Sequence, residues 1–156
     1  RIVPRLRGGQ WLPAPLIVGL GEACRIAAAE MAAEHDRIAA LRDRFMARLR
    51  AEIPGVVLNA DPRRRIPGNL NLTFPAATAQ ALMDGSPELC VSTGSACSSA
   101  AVEPSYVLRA LGLDDAAAAR TLRIGIGRFT SPSDIDAAVS MLVHAHALAA
   151  SPATEA

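Results

Sequence analysis

Cys97 is surrounded by residues that do not pack. It sits in Ser92-Thr93-Gly94-Ser95-Ala96-Cys97-Ser98-Ser99-Ala100, a run of small residues without apolar period. Such a run reads as an accessible loop, and an accessible thiol becomes a nucleophile once it is deprotonated near a positive group. No Lys, Arg or His flanks it, so activation has to come from elsewhere in the fold or from a substrate. An inert loop cysteine is the competing reading. Arg123 is the second residue of this kind. It stands in Leu122-Arg123-Ile124-Gly125-Ile126-Gly127, and the two-residue period of a strand puts both glycines on its face. A guanidinium beside a cleared surface suits a bidentate carboxylate; an edge-strand arginine facing water is the alternative.

Other chemistries fit less well. Cys90 and Cys97 are far apart for a ligand pair, and His35, His144 and His146 scatter over helical segments, so no metal site is expected. No nucleophile elbow accompanies a serine. Gly94, Gly125 and Gly127 do not make the strand–turn–helix fingerprint of a dinucleotide site. With 16 basic against 15 acidic residues and 3% aromatics, nucleic acid is not an expected ligand. Cys24, Cys90 and Cys97 are odd in number and widely spaced, which speaks against a disulfide framework and for a reducing, cytoplasmic compartment. Charges interrupt every long apolar stretch, so no membrane partner is expected. The chain opens on Arg1 and reads as a piece of a longer protein.

The elements that must position Cys97 and Arg123 follow from periodicity. The 156 residues, 51% of them hydrophobic, suffice for one domain with a real core. Residues 1–15, with Gly8, Gly9, Pro4, Pro13 and Pro15, form an irregular lead-in; residues 16–150 form the domain; residues 151–156 are a frayed tail. Leu16, Leu20, Ala23, Cys24, Ala27, Met31, Ile38, Leu41, Phe45 and Leu49 predict one long amphipathic helix ending before Pro54-Gly55, with Cys24 buried on its stripe. Val56–Leu58, Asn69–Phe74, Leu89–Ser92 and Thr121–Phe129 read as strands, which places Cys90 in a strand entering the core. Arg63, Arg64 and Arg65 read as a solvated turn. Short helices are expected over Thr78–Met83 and after Pro104, the latter capped by Gly112. Ser131-Pro132-Ser133-Asp134 is a capping box opening a last helix through Ile135, Val139, Leu142 and His146. The order implies an α+β domain with a small, mostly antiparallel sheet covered by helices.

The quoted residues resemble a known family. Val91–Ala100, Glu103–Leu113 and Leu122–Thr130, together with Gly19–Ala27 and Asn69–Phe74, are similar to the C-terminal part of cysteine desulfurases of the iron–sulfur-cluster-assembly type, within the class V aminotransferases. The resemblance covers nearly all of the chain from Gly19 to Leu148. It implies the small terminal domain of a pyridoxal-phosphate-dependent homodimer that removes sulfur from L-cysteine, giving L-alanine and an enzyme persulfide. By this likeness Cys97 is the nucleophile and persulfide carrier. Arg123 grips the substrate carboxylate. The partners are L-cysteine and an iron–sulfur scaffold or other sulfur acceptor, and the Cys97 persulfide is a point that an iron–sulfur cluster could share. The cofactor-binding residues are not identified in this sequence. The family's cofactor lysine lies in a preceding large domain, and this chain contains no lysine, so the chain alone is expected to be inactive. Gly8-Gly9-Gln10 also runs straight into Trp11-Leu12-Pro13, where the family carries an arginine- and glycine-rich phosphate-binding segment. A cofactor-free sulfur-relay or interaction module, and a non-functional remnant, are the alternatives.

Overall fold

The computed structural model describes residues 13–93 and 106–151. Their contacts divide the chain into two units, Arg1–His35 and Asp36–Ala156. Helix α1 (Ala14–Glu52) begins in the first and ends in the second. Within the first unit the described residues are helix from Ala14 onward, and Leu16, Val18, Leu20 and Met31 are exposed. Cys24 is exposed too. The expected buried stripe therefore starts at Ile38, not at Leu16. A helical stripe is buried only where an apolar surface faces it, and the first unit offers no second element among its described residues.

The second unit has the expected α+β class, with a small antiparallel sheet. It continues with β1 (Val57–Leu58), β2 (Asn69–Thr73), α2 (Ala79–Asp84), α3 (Tyr106–Ala110), α4 (Asp115–Ala119), β3 (Thr121–Gly125) and α5 (Pro132–Ala150). The sheet order is β1-β2-β3 and both pairings are antiparallel. Leu70 and Leu72 of β2 and Leu122 and Ile124 of β3 point to one face. They form a core there with Phe45 and Leu49 of α1, Leu82 of α2, and Ile135, Val139 and Leu142 of α5. Among the described residues no helix is long and apolar enough to cross a membrane.

Local chemistry sets the element ends. Gly55 takes φ +94 just beyond α1, a region open to glycine at little cost. Gly112 does the same at φ +86 after α3, where Leu113 N donates back to Leu108 O at 3.1 Å. Ser131 and Asp134 form the expected capping box on α5, each side chain accepting the other's backbone N–H at 3.2 and 2.9 Å. Helix α4 is an element the periodicity did not predict. Its run of alanines has no apolar face, and its signal is the N-cap alone, Asp114 Oδ1 accepting from Ala117 N at 2.7 Å.

Two strand expectations shrink. Leu89–Ser92 pairs with β3 only through the bridge Ser92–Arg123. Strand β3 stops at Gly125 rather than Phe129, because the backbone turns at Arg128–Phe129 ahead of α5. Arg37 of α1 holds that turn. Its guanidinium donates to the carbonyls of Thr130 (2.8 Å), Arg128 (2.6 Å) and Gly127 (3.3 Å). The basic turn of residues 63–65 is likewise not wholly solvated. Arg65 is half-buried and donates to four carbonyls, those of Asn59, Ala60, Asp61 and Asn69. Desolvation by this burial lowers its pKa, with Arg42 acting in the same direction and Asp61 against it.

Gly68 sits where β2 approaches the end of β3. Its carbonyl accepts from Ile126 N at 2.8 Å. A Cβ there would lie 2.0 Å from the Ile126 carbonyl oxygen. Gly68→Ala is expected to destabilise the domain by about 1–3 kcal/mol, the usual cost of overpacking, seen as a lower urea midpoint. An unchanged midpoint would show that the two segments are not so close.

Asp136 joins α5 to α1. Arg44 Nε and Nη2 donate to its two oxygens at 3.0 and 2.6 Å, and Arg48 Nη1 lies 2.7 Å from Oδ1. The Arg44 hydrogen bonds, then those of Arg48, hold its carboxyl down from the ordinary 3.8 to about 2. A depressed folded-state value means the contribution is complete above the unfolded value of 3.8 and is lost as pH falls through about 2. The Asp136 carboxyl carbon should therefore titrate by NMR with a midpoint near 2, and Asp136→Asn should remove this part of the acid sensitivity. An ordinary midpoint would show that the cluster does not form in solution.

Candidate functional site

The face of the sheet opposite the core is polar. Register pairs Asn69 with Gly125, Asn71 with Arg123, and Thr73 with Thr121. In an antiparallel ladder directly opposed residues share a face, so Arg123 stands among asparagine, threonine and glycine. Its side chain is exposed, and no hydrogen bond or ion pair engages its guanidinium among the described residues. Gly125 is exposed, and a Cβ built on it would meet nothing within 4 Å. The same holds for Gly127, just beyond the strand. Among the described residues, nothing fills the space beside Gly125 and Gly127.

Ser92, five residues before Cys97, is paired with this face. Arg123 N donates to Ser92 O at 2.6 Å, and Ser92 N donates to Arg123 O at 3.2 Å. Cys97 itself lies outside the described residues, as do Glu103-Pro104-Ser105 and the Gln10-Trp11 segment. Covalent geometry still bounds its reach: five residues from Ser92 span at most about 17 Å. The chain toward Cys97 thus leaves from beside the backbone of Arg123.

A hydrogen-bonded chain crosses the same face. Asn59 Nδ2 donates to Asn71 Oδ1 at 2.8 Å and to Thr73 Oγ1 at 2.9 Å. Thr73 Oγ1 lies 2.8 Å from Thr121 Oγ1, and Thr121 Oγ1 donates to Ala117 O at 2.8 Å. Asn59 and Thr121 are buried. The alternation of Asn69, Leu70, Asn71, Leu72 and Thr73 marks the β2 residues as one polar face. Their pairing with Arg123 and Asn59 was not legible, because it depends on register across two loops.

The other thiols are not where the sequence put them. Cys24 and Cys90 are both exposed. Leu89 and Val91 pack against the core, and Cys90 between them faces out. Among the described residues no three His, Cys, Asp or Glu gather as a metal site. A cavity of about 370 Å³ lies over Arg48, Glu52, Val139, Ser140, Val143, His144 and Ala147. It is separate from the Arg123 face. Nor does His146 add to the site: its Nε2 lies 2.8 Å from Pro75 O, and a carbonyl only accepts, so Nε2 carries the proton.

The aminotransferase class-V family model matches residues 8–138. A cysteine desulfurase of Rattus norvegicus is 43% identical over 133 residues, 85% of this chain and 30% of the relative. The cysteine desulfurase IscS of Methylococcus capsulatus is 50% identical over 126 residues, 81% of this chain and 31% of the relative. The solved structure of a NifS-like protein from Rickettsia africae shares the fold, with a TM-score of 0.72 at 23% identity, over 84% of this chain and 34% of that one. The chain spans about 30% of the length of the curated relatives it matches.

Exposure decides the behaviour of the two described thiols. Cys24 and Cys90 should both alkylate in the native protein within about tenfold of the rate of an unstructured thiol, since neither is shielded. Peptide mapping after limiting iodoacetamide measures this. Protection of either until denaturant is added would place it in a buried environment.

Proposed function

Because the chain belongs to the class-V aminotransferase family, we propose that residues 16–150 are the small terminal domain of a cysteine desulfurase. Its part is to hold the carboxylate of L-cysteine on Arg123 and to take the substrate sulfur on Cys97. The observation that carries this reading is the backbone pairing of Ser92 with Arg123, which brings the chain leading to Cys97 beside a guanidinium that has no partner among the described residues, on a glycine-cleared surface. The identity to the named desulfurases supports it.

The family's pyridoxal phosphate is an electron sink attached through a lysine. All 16 basic residues here are arginine, so this chain has no amine side chain to hold it. That chemistry is assigned to a lysine-bearing domain, and the residues of this chain act on the substrate alone. Arg123 offers a planar fork to the carboxylate and so fixes one end of L-cysteine. The Cys97 thiolate attacks the substrate sulfur. A sulfur–sulfur bond forms and the carbon–sulfur bond breaks. The carbon fragment keeps the bonding pair and takes up a proton, leaving alanine and a Cys97 persulfide. Small residues around Cys97 suit a thiol that must first meet a substrate and then present its sulfur to an acceptor of the iron–sulfur-assembly kind. In the full assembly the protein is a cytoplasmic homodimer.

The chain with pyridoxal phosphate and L-cysteine should release no alanine above a blank. Supplied with a lysine-bearing large domain, it should turn over. Arg123→Ala should then weaken L-cysteine binding by about 1.5–3 kcal/mol, read as a raised KM, and Arg123→Lys should restore only part of it. An unchanged KM in the alanine variant would rule out the carboxylate role. Enzyme-like turnover by the chain alone would contradict the division of labour.

A further inference from the structure

The hydrogen-bonded chain beside Arg123 has a direction. Ala117 O only accepts, so Thr121 spends its single hydroxyl proton there. Thr121 Oγ1 must therefore accept from Thr73 at 2.8 Å, which uses the one proton of Thr73. Thr73 in turn must accept from Asn59 Nδ2 at 2.9 Å, which excludes its alternative donation to Asn59 Oδ1 at 3.3 Å. With Nδ2 of Asn59 so placed, its other proton goes to Asn71 Oδ1 at 2.8 Å. One backbone carbonyl thus sets the amide orientation of Asn71 three side chains away. Oδ1 of Asn71 is turned toward β1, and Nδ2 is left on the side away from Asn59, with no hydrogen-bond partner among the described residues.

Backbone pairing brings that donor to Arg123. The N–H and C=O of Arg123 both bond Ser92, and Asn71 O accepts from Asn59 N at 2.9 Å. Asn71 and Arg123 are therefore a non-hydrogen-bonded antiparallel pair, the kind whose side chains lie closest, with Cβ atoms about 4.5–5.5 Å apart. The backbone of Asn59 is itself held, since Arg65 donates to its carbonyl. The next residue, Ala60, is fixed in the left-handed region at φ 63.

We infer that Asn71 Nδ2 is a second donor to the carboxylate bound by Arg123, and that Asn59 is the positioning residue that aims it. The inference rests on the carboxylate role proposed for Arg123. A guanidinium and an amide converging from paired strands present donors to both carboxylate oxygens, and Gly125 leaves the space for the rest of an α-amino acid.

The test is an NMR titration of the whole chain with L-alanine, following the side-chain amide of Asn71 and the Nε–H of Arg123. Both signals should shift with one half-saturation concentration. Asn71→Ala should raise that concentration by about fivefold while Arg123 still responds, the size expected for one hydrogen bond. Asn71→Asp should abolish binding. Asn59→Ala should reproduce the effect of Asn71→Ala, and the double variant should cost no more than either alone, which a merely structural role for Asn59 would not give. An unchanged half-saturation in Asn71→Ala, with a silent Asn71 amide, would overturn the second donor yet leave the role of Arg123 intact. Silence at both residues would overturn both.

Discussion

The register of β2 against β3 is the constraint on which this domain's chemistry depends. Leu70 and Leu72 oppose Ile124 and Leu122 on the core side, and the same pairing puts Asn71 opposite Arg123 on the other side. A slip of one residue would carry Arg123 into the core and the leucines to solvent. Burial of four aliphatic side chains, at about 1.5–3 kcal/mol each, thus holds on the opposite face a charged side chain that has no partner among the described residues. The strand contributes a cation to the site because its neighbours contribute to the core.

The surrounding structure immobilises what the register sets. On the far edge of β3, Ser92 takes both backbone bonds of Arg123 and so fixes where the chain toward Cys97 departs. Between β3 and α5, the guanidinium of Arg37 gathers the carbonyls of Gly127, Arg128 and Thr130 and holds the turn. Beside β2, Arg65 does the same for the β1–β2 connection. Arg37 and Arg65, like Arg120 with the carbonyl of Ala116, are therefore engaged with main-chain carbonyls in this lysine-free sequence, a role that the forked guanidinium fills better than an ammonium.

The elements legible in the sequence were those whose signals are local. The Ser131–Asp134 box needs four residues to be recognised, and it opens α5 as expected. Asn69–Thr73 alternates, and it is a half-buried strand. Arg123 and Gly125 share a face because a strand's period is two, whatever it pairs with. What was not legible depended on partners. The stripe from Leu16 to Met31 has a helix's period, but burial requires a facing surface, and it is exposed. Cys24 follows that stripe to solvent. Cys90 lies in a segment expected as a strand that forms only the bridge at Ser92, and it faces solvent between Leu89 and Val91, which pack against the core. Asn59 gave no sign of its role, since its position beside Asn71 arises from a turn at Ala60 that alanine disfavours.

If Arg123 and Cys97 serve one substrate, sulfur taken from L-cysteine must come to rest on Cys97. The most direct measurement is mass-spectrometric mapping of the chain after exposure to L-cysteine beside a lysine-bearing, pyridoxal-phosphate-loaded large domain. The expected result is a single added sulfur atom on the peptide that contains Cys97, and none on the peptides of Cys24 and Cys90. Sulfur found on Cys24 or Cys90 with none on Cys97 would contradict the assignment of the loop as the sulfur carrier.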